Sequence, residues 1–464
     1  MRGAGWVNAQ RLLERGLSLA SLLVLGRLLA PADFGLVAIA TGVAWVLEGV
    51  TEFEVRGAVI QAREQDRSLH DTAWTLAGLR GLVIALLMLL GSCFCADLRL
   101  GETLMVLALC PLLDGLVNPR FALFERDLEF YPSVLLSSSA ALISGGVTIL
   151  SALLLRSHWA LVFGLLAGSA TRVLLSYTLR PYRPRWALAR WRTIWRFGGW
   201  MSLATLITAL TQRSDRLIVG ALLGFDRAGS YYMVQRLALL PTLDLIAPLG
   251  RVLFPAFARL AHTPERLRQA VRESLGALAT LTLPLACGLA VVADDGLVLV
   301  LGERWRPIVP LLVVLLPFLS LRAILLSART LAMALGQTRF VFVSSAVLGA
   351  IQLPLFSLLT WSQGLPGSIG AVVVVGLVAG GLHLWMFRRL VDLRLMVVAL
   401  WAMDAGREAL LGPFGPWSLV LEVLTGGLLF GVSQWSLWVL AGRPAGIEQR
   451  LESALAKRVR AQKR

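Results

Sequence analysis

Arg80, Arg172, Arg213, Arg216, Arg236 and Arg322 each lie inside a long apolar stretch of this chain. A cation at the centre of a membrane-spanning helix costs ~2.5–3.5 kcal/mol on insertion scales, so such a residue faces a partner or a water-filled cavity. Arg213 and Arg216 are three residues apart and share a helix face, with Gln212 four before Arg216 and Asp215 between them. The planar guanidinium grips carboxylate or phosphate through two parallel hydrogen bonds. The chemistry on offer is therefore the holding of an anion. Arg80, Arg213, Arg216 and Arg236 are the candidate contacts, and Arg172 and Arg322 are the candidates for an electrostatic path. The intramembrane acids Glu48, Asp114, Asp215 and Asp244, with Glu52 and Asp294, serve either as partners of these arginines or as ion-coupling groups, and for any single one the partner role is the commoner outcome. Arg27 and Arg251, at span ends, can reach the headgroups instead.

Residues for bond-making chemistry are missing from the pattern. The four histidines (His70, His158, His262, His383) are scattered, and the four cysteines (Cys93, Cys95, Cys110, Cys287) have no metal-ligand spacing. Cys93-x-Cys95 could form a disulfide or bind a metal, but small apolar residues in a helix are the simpler reading. No glycine-rich phosphate loop is present. The expectation is a protein that is not an enzyme and uses no cofactor and no metal.

The elements that must position the arginines are helices in a bilayer. The chain is 57% hydrophobic and 16% charged, with a mean hydropathy of +0.73, more apolar surface than a soluble fold can hide. About 20 residues cross a bilayer. Fourteen stretches qualify, at about 8–29, 34–53, 73–92, 100–118, 133–155, 159–179, 197–223, 228–250, 277–301, 307–328, 340–360, 364–387, 393–411 and 417–440. The thirteenth is interrupted by Asp404, Arg407 and Glu408, so 12 to 14 spans are expected. The first has no trusted cleavage site and is expected to stay as an anchor.

Charge gives these spans a direction. Numbered alternately, the connections on the side of the N-terminus carry about 30 Lys/Arg, and the others about six: Arg27, Arg99, Arg156, Arg227, Arg304 and Arg306. The basic side faces the cytoplasm, which places both termini there. The net charge of +16 thus points to anionic membrane lipid as the partner, not nucleic acid.

An internal repeat organises the spans. Gly26-Arg-Leu-Leu-Ala-Pro-Ala-Asp-Phe-Gly35 aligns without a gap on Gly220-Ala-Leu-Leu-Gly-Phe-Asp-Arg-Ala-Gly229, at an offset of 194. In both, a span ends, a short external turn follows, and a glycine opens the next span. Gly35 and Gly229 are expected as symmetric turn or hinge points. Six spans separate the copies, so both run in the same direction, as in parallel-repeat transporters. The expected organisation is all-α: a six-helix lobe 1–180, a basic cytoplasmic linker 181–196, a second six-helix lobe 197–390, two further helices 391–441, and a basic tail 442–464 with helical spacing.

These residues resemble a family. Gly26 to Leu36 with Ala58-Val-Ile-Gln61, Phe197-Gly-Gly-Trp200, Asp215-Arg-Leu-Ile-Val-Gly220, Tyr231, Arg236-Leu-Ala-Leu-Leu-Pro241, Phe254-Pro-Ala-Phe-Ala-Arg-Leu260 and Leu301-Gly-Glu-Arg-Trp-Arg-Pro307 are similar to the motifs of Wzx-type polysaccharide exporters. Those belong to the multidrug/oligosaccharidyl-lipid/polysaccharide superfamily, and the likeness covers roughly residues 6–390. The resemblance implies two lobes around a V-shaped cavity in the bacterial inner membrane. It also implies flipping of an undecaprenyl-pyrophosphate-linked oligosaccharide, a precursor of polysaccharide, exopolysaccharide or O-antigen, by alternating access. A polysaccharide polymerase and chain-length machinery are the partners it suggests. A drug or cation exporter of the same fold would want an acid-lined cavity. A membrane polymerase or ligase would want a long external loop. A lipid scaffold that transports nothing is the remaining alternative.

Overall fold

The computed structural model describes residues 2–51, 59, 67–127, 129–239, 253 and 255–387. Every regular element among them is helical. Six stretches among them are long and apolar enough to cross a membrane: Pro31–Gly49, Arg67–Cys93, Tyr131–Leu155, Trp159–Leu179, Glu303–Arg322 and Val343–Leu382. Their outer surfaces carry large apolar side chains such as Leu86, Leu90, Leu150 and Leu154 in the open. A water-soluble monomer does not expose patches of this size, and a lipid-facing surface does. The chain is a multi-pass membrane protein. The thirteenth and fourteenth expected spans and the basic tail lie outside the described residues.

The chain packs as two compact units, Met1–Tyr232 and Met233–Arg464. In the first, α1 (Arg2–Leu28) and α2 (Pro31–Val50) are joined by an extended residue, Ala30. Pro31 suits the first helical position because it needs no amide partner there. The Asp33 carboxylate accepts the Ala30 backbone N–H at 2.9 Å, and its charge favours the helix N-terminus. Next come α3 (Arg67–Cys93), α4 (Leu98–Leu107) and α5 (Leu109–Gly115). The expected fourth span, 100–118, is thus broken at Ala108. Pro111 explains this, since its ring lacks the N–H that would bond one turn back and clashes with that carbonyl. After α6 (Ala122–Arg126), the hairpin of α7 (Phe130–Leu155) and α8 (Trp159–Leu179) packs through small residues, with Gly164 and Gly168 against Thr148 and Ser144. A buried cluster ties α2, α3, α4 and α8 together through Val37, Ala40, Ile84, Met88, Leu104 and Val162.

Helix α9 (Trp191–Leu239) breaks at Gly224, whose φ of 79° favours glycine. Gly224 aligns with Ala30 in the repeat, so both copies interrupt the helix at the same place.

In the second unit, α10 (Pro264–Val291) and α11 (Ala293–Leu301) divide the expected ninth span at Val292. Then follow α12 (Val309–Ala334) and α13 (Thr338–Phe387), the latter breaking at Gly364 with φ 68°. That break falls on the first residue of the expected twelfth span, 364–387. Phe257, Leu267, Val271, Leu331 and Ala332 form a buried cluster at the basic end.

Candidate functional site

One face of α2 meets α9 in a ladder that starts at the turn between α1 and α2. A β-carbon on Gly35 would meet the Phe225 carbonyl and lie 2.7 Å from the Gly229 nitrogen. One on Gly229 would meet the Pro31 carbonyl and lie 2.9 Å from the Gly35 nitrogen. Deeper along α2, Ile39 packs on Gly220, and Leu217 packs over Gly42. Only glycine permits such close main-chain approach.

At the foot of this ladder stands Arg216. Its guanidinium carbon lies 4.8 Å from the centroid of the Trp45 ring and 5.1 Å from that of Tyr232. Two aromatic faces thus hold one cation. Phe34 stacks on Tyr232 at 6.4 Å and continues the aromatic wall. The adjoining Asp215 carboxylate accepts the Tyr231 hydroxyl at 2.9 Å and the Arg216 backbone N–H at 2.8 Å. One terminal nitrogen of Arg216, Nη1, is enclosed and has no hydrogen-bond partner among the described residues. A buried donor left unmatched costs about 1–3 kcal/mol, and an anionic oxygen would satisfy it. Trp45 and Tyr232 were not singled out from the sequence. The signal available for Trp45 was its place near the middle of the expected span 34–53, a depth at which tryptophan is not favoured; Tyr232 lies near a span end and gave no such signal.

The other sequence-selected arginines have different surroundings. Arg80 donates to the Glu48 carbonyl at 2.8 Å and the Thr51 hydroxyl at 3.2 Å, and so closes the C-terminal end of α2. Arg172 grips Asp114 with two bonds to Oδ1, at 2.9 and 3.2 Å, and one to Oδ2, at 3.0 Å. It also donates to the Ser169 hydroxyl at 2.9 Å. Arg236 is exposed on α9 beyond the break, and Arg322 is half-buried on α12. Arg213 occupies the α9 turn before Arg216, and its side chain lies outside the described residues, as do Asp244 and Arg251. Cys93 and Cys95 are free thiols. Among the described residues, no group of three or more His, Cys, Asp or Glu side chains could hold a metal.

A model of the family described as "Polysaccharide biosynthesis protein" matches residues 24–310, more than half of the chain. The chain belongs to this family. Its members' likeness extends to named relatives. It is 29% identical over 319 residues to the "Lipopolysaccharide biosynthesis protein WzxC" of Escherichia coli (strain K12), a match covering 67% of this chain and 65% of that one. It is 27% identical over 322 residues to the "Succinoglycan biosynthesis transport protein ExoT" of Rhizobium meliloti (strain 1021), covering 67% and 64%. The matches span just under two thirds of each relative's length. The resemblance to Wzx-type exporters is borne out by the family and these relatives. Among solved structures, "Lipid II flippase MurJ, inward closed conformation" superposes with a TM-score of 0.72 at 11% identity, covering 95% of this chain and 99% of that one. A multidrug resistance MATE family transporter of the MOP superfamily, inward-facing, superposes with a TM-score of 0.55 at 16% identity, covering 81% and 94%. These likenesses show that the chain shares the fold of these solved transporters, and its described residues form only helices.

Proposed function

We propose that this protein flips a lipid-linked oligosaccharide from the cytoplasmic to the outer leaflet of the bacterial inner membrane. The cargo is of the undecaprenyl-pyrophosphate class, a precursor of an exported polysaccharide. The mechanism is alternating access by two six-helix lobes within a bundle of 14 spans, with both termini in the cytoplasm. The names of its relatives and its fold support this reading, and one observation carries it: the Arg216 guanidinium, held between Trp45 and Tyr232, keeps an enclosed N–H without a partner. A pyrophosphate supplies the oxygens such a donor lacks. The two rings hold the guanidinium in place, so little side-chain freedom remains to be lost when the anion arrives.

Arg213 and Arg236 are proposed as further cargo contacts on the same helix. Arg80 and Arg172, whose donors are engaged within the protein, contribute field and not direct contact, and Arg322 contributes in the same way. Basic residues lining the path favour an anion over the cations that a drug exporter carries.

The test is glycan export in cells carrying Arg216→Ala or Arg216→Lys at normal membrane levels. Loss of surface polysaccharide with lipid-linked precursor accumulating inside supports the reading. Lysine, lacking the planar fork, should restore export only in small part. Export at the normal level in Arg216→Ala would overturn the site assignment.

A further inference from the structure

Residues 181–190, between α8 and α9, form no regular element, yet they are pinned to the basic end of α3. The Tyr182 hydroxyl bonds to the Asp71 carboxylate, which also accepts the Arg185 backbone N–H at 3.3 Å. The Ala187 N–H donates to the Thr75 hydroxyl at 3.1 Å, and the Arg190 N–H to the Thr72 hydroxyl at 3.3 Å. Asp71, Thr72 and Thr75 are all buried, so three interior side chains on α3 are committed to the backbone of this strap. Arg67 adds a bond to the Arg183 carbonyl at 3.3 Å. The Arg120 guanidinium carbon lies over the Tyr182 ring, 5.9 Å from its centroid.

The order of these bonds describes a path. The strap meets α3 at Asp71, advances one turn to Thr75 at Ala187, and returns to Thr72 at Arg190. One turn is ~5.4 Å along the helix, toward the bilayer. The residues at the point of deepest reach are apolar and face outward: Trp186 is 69% exposed and Leu188 49%, with Trp191 at 45% just beyond. Trp186 rests edge-on against Trp74 at 5.2 Å. On the two arms Arg183, Arg185 and Arg192 are exposed. An apolar tip about one helical turn deep with guanidinium groups behind it suits the boundary between headgroups and acyl chains, where buried apolar faces lie about 5–10 Å in. Tryptophan favours that level, and arginine stems reach back from it to phosphate.

We propose that this strap is a binding site for anionic phospholipid headgroups. Trp186 and Leu188 enter the acyl boundary, and Arg183, Arg185 and Arg192 take the headgroup phosphates. The three arginines make the site selective for a negatively charged headgroup over a zwitterionic one. An acidic soluble protein would match the arginines but not the exposed tip, so lipid is the occupant that satisfies both halves. The proposal does not rest on the nature of the cargo, and its readout is lipid binding, not export.

The test uses purified full-length protein in detergent, offered equal phosphatidylglycerol and phosphatidylcholine, with retained lipid counted by native mass spectrometry. Wild type should retain phosphatidylglycerol preferentially. Replacing Arg183, Arg185 and Arg192 together by Gln should reduce that preference by about tenfold or more. The strap's backbone bonds do not involve those side chains, so the thermal midpoint in phosphatidylcholine should not move. Trp186→Ala should lower retention of both lipids while keeping the preference. Equal preference in the triple variant would overturn the proposal. So would competition by millimolar inorganic phosphate as effective as competition by the lipid, which would make the site one for free phosphate.

Discussion

Gly35 and Gly229, 194 residues apart in the sequence, touch main chain to main chain: the β-carbon missing from each would stand 2.7–2.9 Å from the other's backbone nitrogen. The repeat pairs these two residues by position, and the fold pairs them in space. Replacing either by Ala forces α2 and α9 apart. Overpacking of this kind costs typically about 1–3 kcal/mol, and here the obstacle is backbone, which cannot swing aside. Gly35→Ala and Gly229→Ala should each lower the thermal midpoint and reduce export. Gly146→Ala and Gly276→Ala, which would meet nothing within 4 Å, should do neither.

The Arg172–Asp114 pair is predicted to behave as a unit. Removing one partner strands the other, at about 1.5–3 kcal/mol for hydrogen bonds to a charged group. Asp114→Ala and Arg172→Ala should each destabilise the protein. The double variant should cost less than the sum of the two, as a double-mutant cycle on thermal midpoints would register.

Membrane potential should drive the proposed outward step. A charge crossing the membrane is worth ~2.3 kcal/mol per 100 mV, so export of a dianion from a negative interior is downhill by roughly twice that per 100 mV. Flipping in vesicles should slow when the potential is clamped to zero and should proceed without an ion gradient. An unchanged rate at zero potential would contradict this.

His158, just ahead of α8, is buried, and burial holds its imidazole pKa below the ordinary value, with Arg99 acting in the same sense and Asp33 and Glu102 opposing. The Asp33 carboxylate is 3.9 Å from its Nδ1. Above the unfolded value of about 6.5, both folded and unfolded forms are neutral, and the histidine leaves stability unchanged. As pH falls through that value the unfolded chain takes up the proton first, so stability is lost until the depressed native value is passed. The thermal midpoint of the wild type should decline from pH 7 to pH 5.5, and His158→Gln should flatten that part of the decline.

Apolar length and the ten-residue repeat made the multi-pass helical fold and the break near Gly224 legible in advance, whereas the breaks at Ala108 and Val292 fall inside stretches that read as continuous spans. These signals are local or periodic, and a linear chain records them directly. The partners of the arginines were not recorded in that way. Arg172 meets Asp114 across 58 residues, and Arg80 meets Glu48 across 32. Nothing in spacing distinguishes these from Arg216, whose neighbours are aromatic rings. The strap was legible only as a basic linker, because its order comes from Asp71, Thr72 and Thr75, buried side chains more than a hundred residues away. The interruption at Ala108 could have been read from Pro111.

The clasp between α5 and α8 also constrains how the chain enters the bilayer. Asp114 emerges first and faces hydrocarbon alone until Arg172 follows, and each is unfavourable there by up to ~2.5–3.5 kcal/mol near a helix centre. Neutralised by each other, they can be accommodated together. The pair therefore predicts that α5 settles at its final depth only when α8 arrives, a joint insertion of this part of the protein and not a helix-by-helix threading.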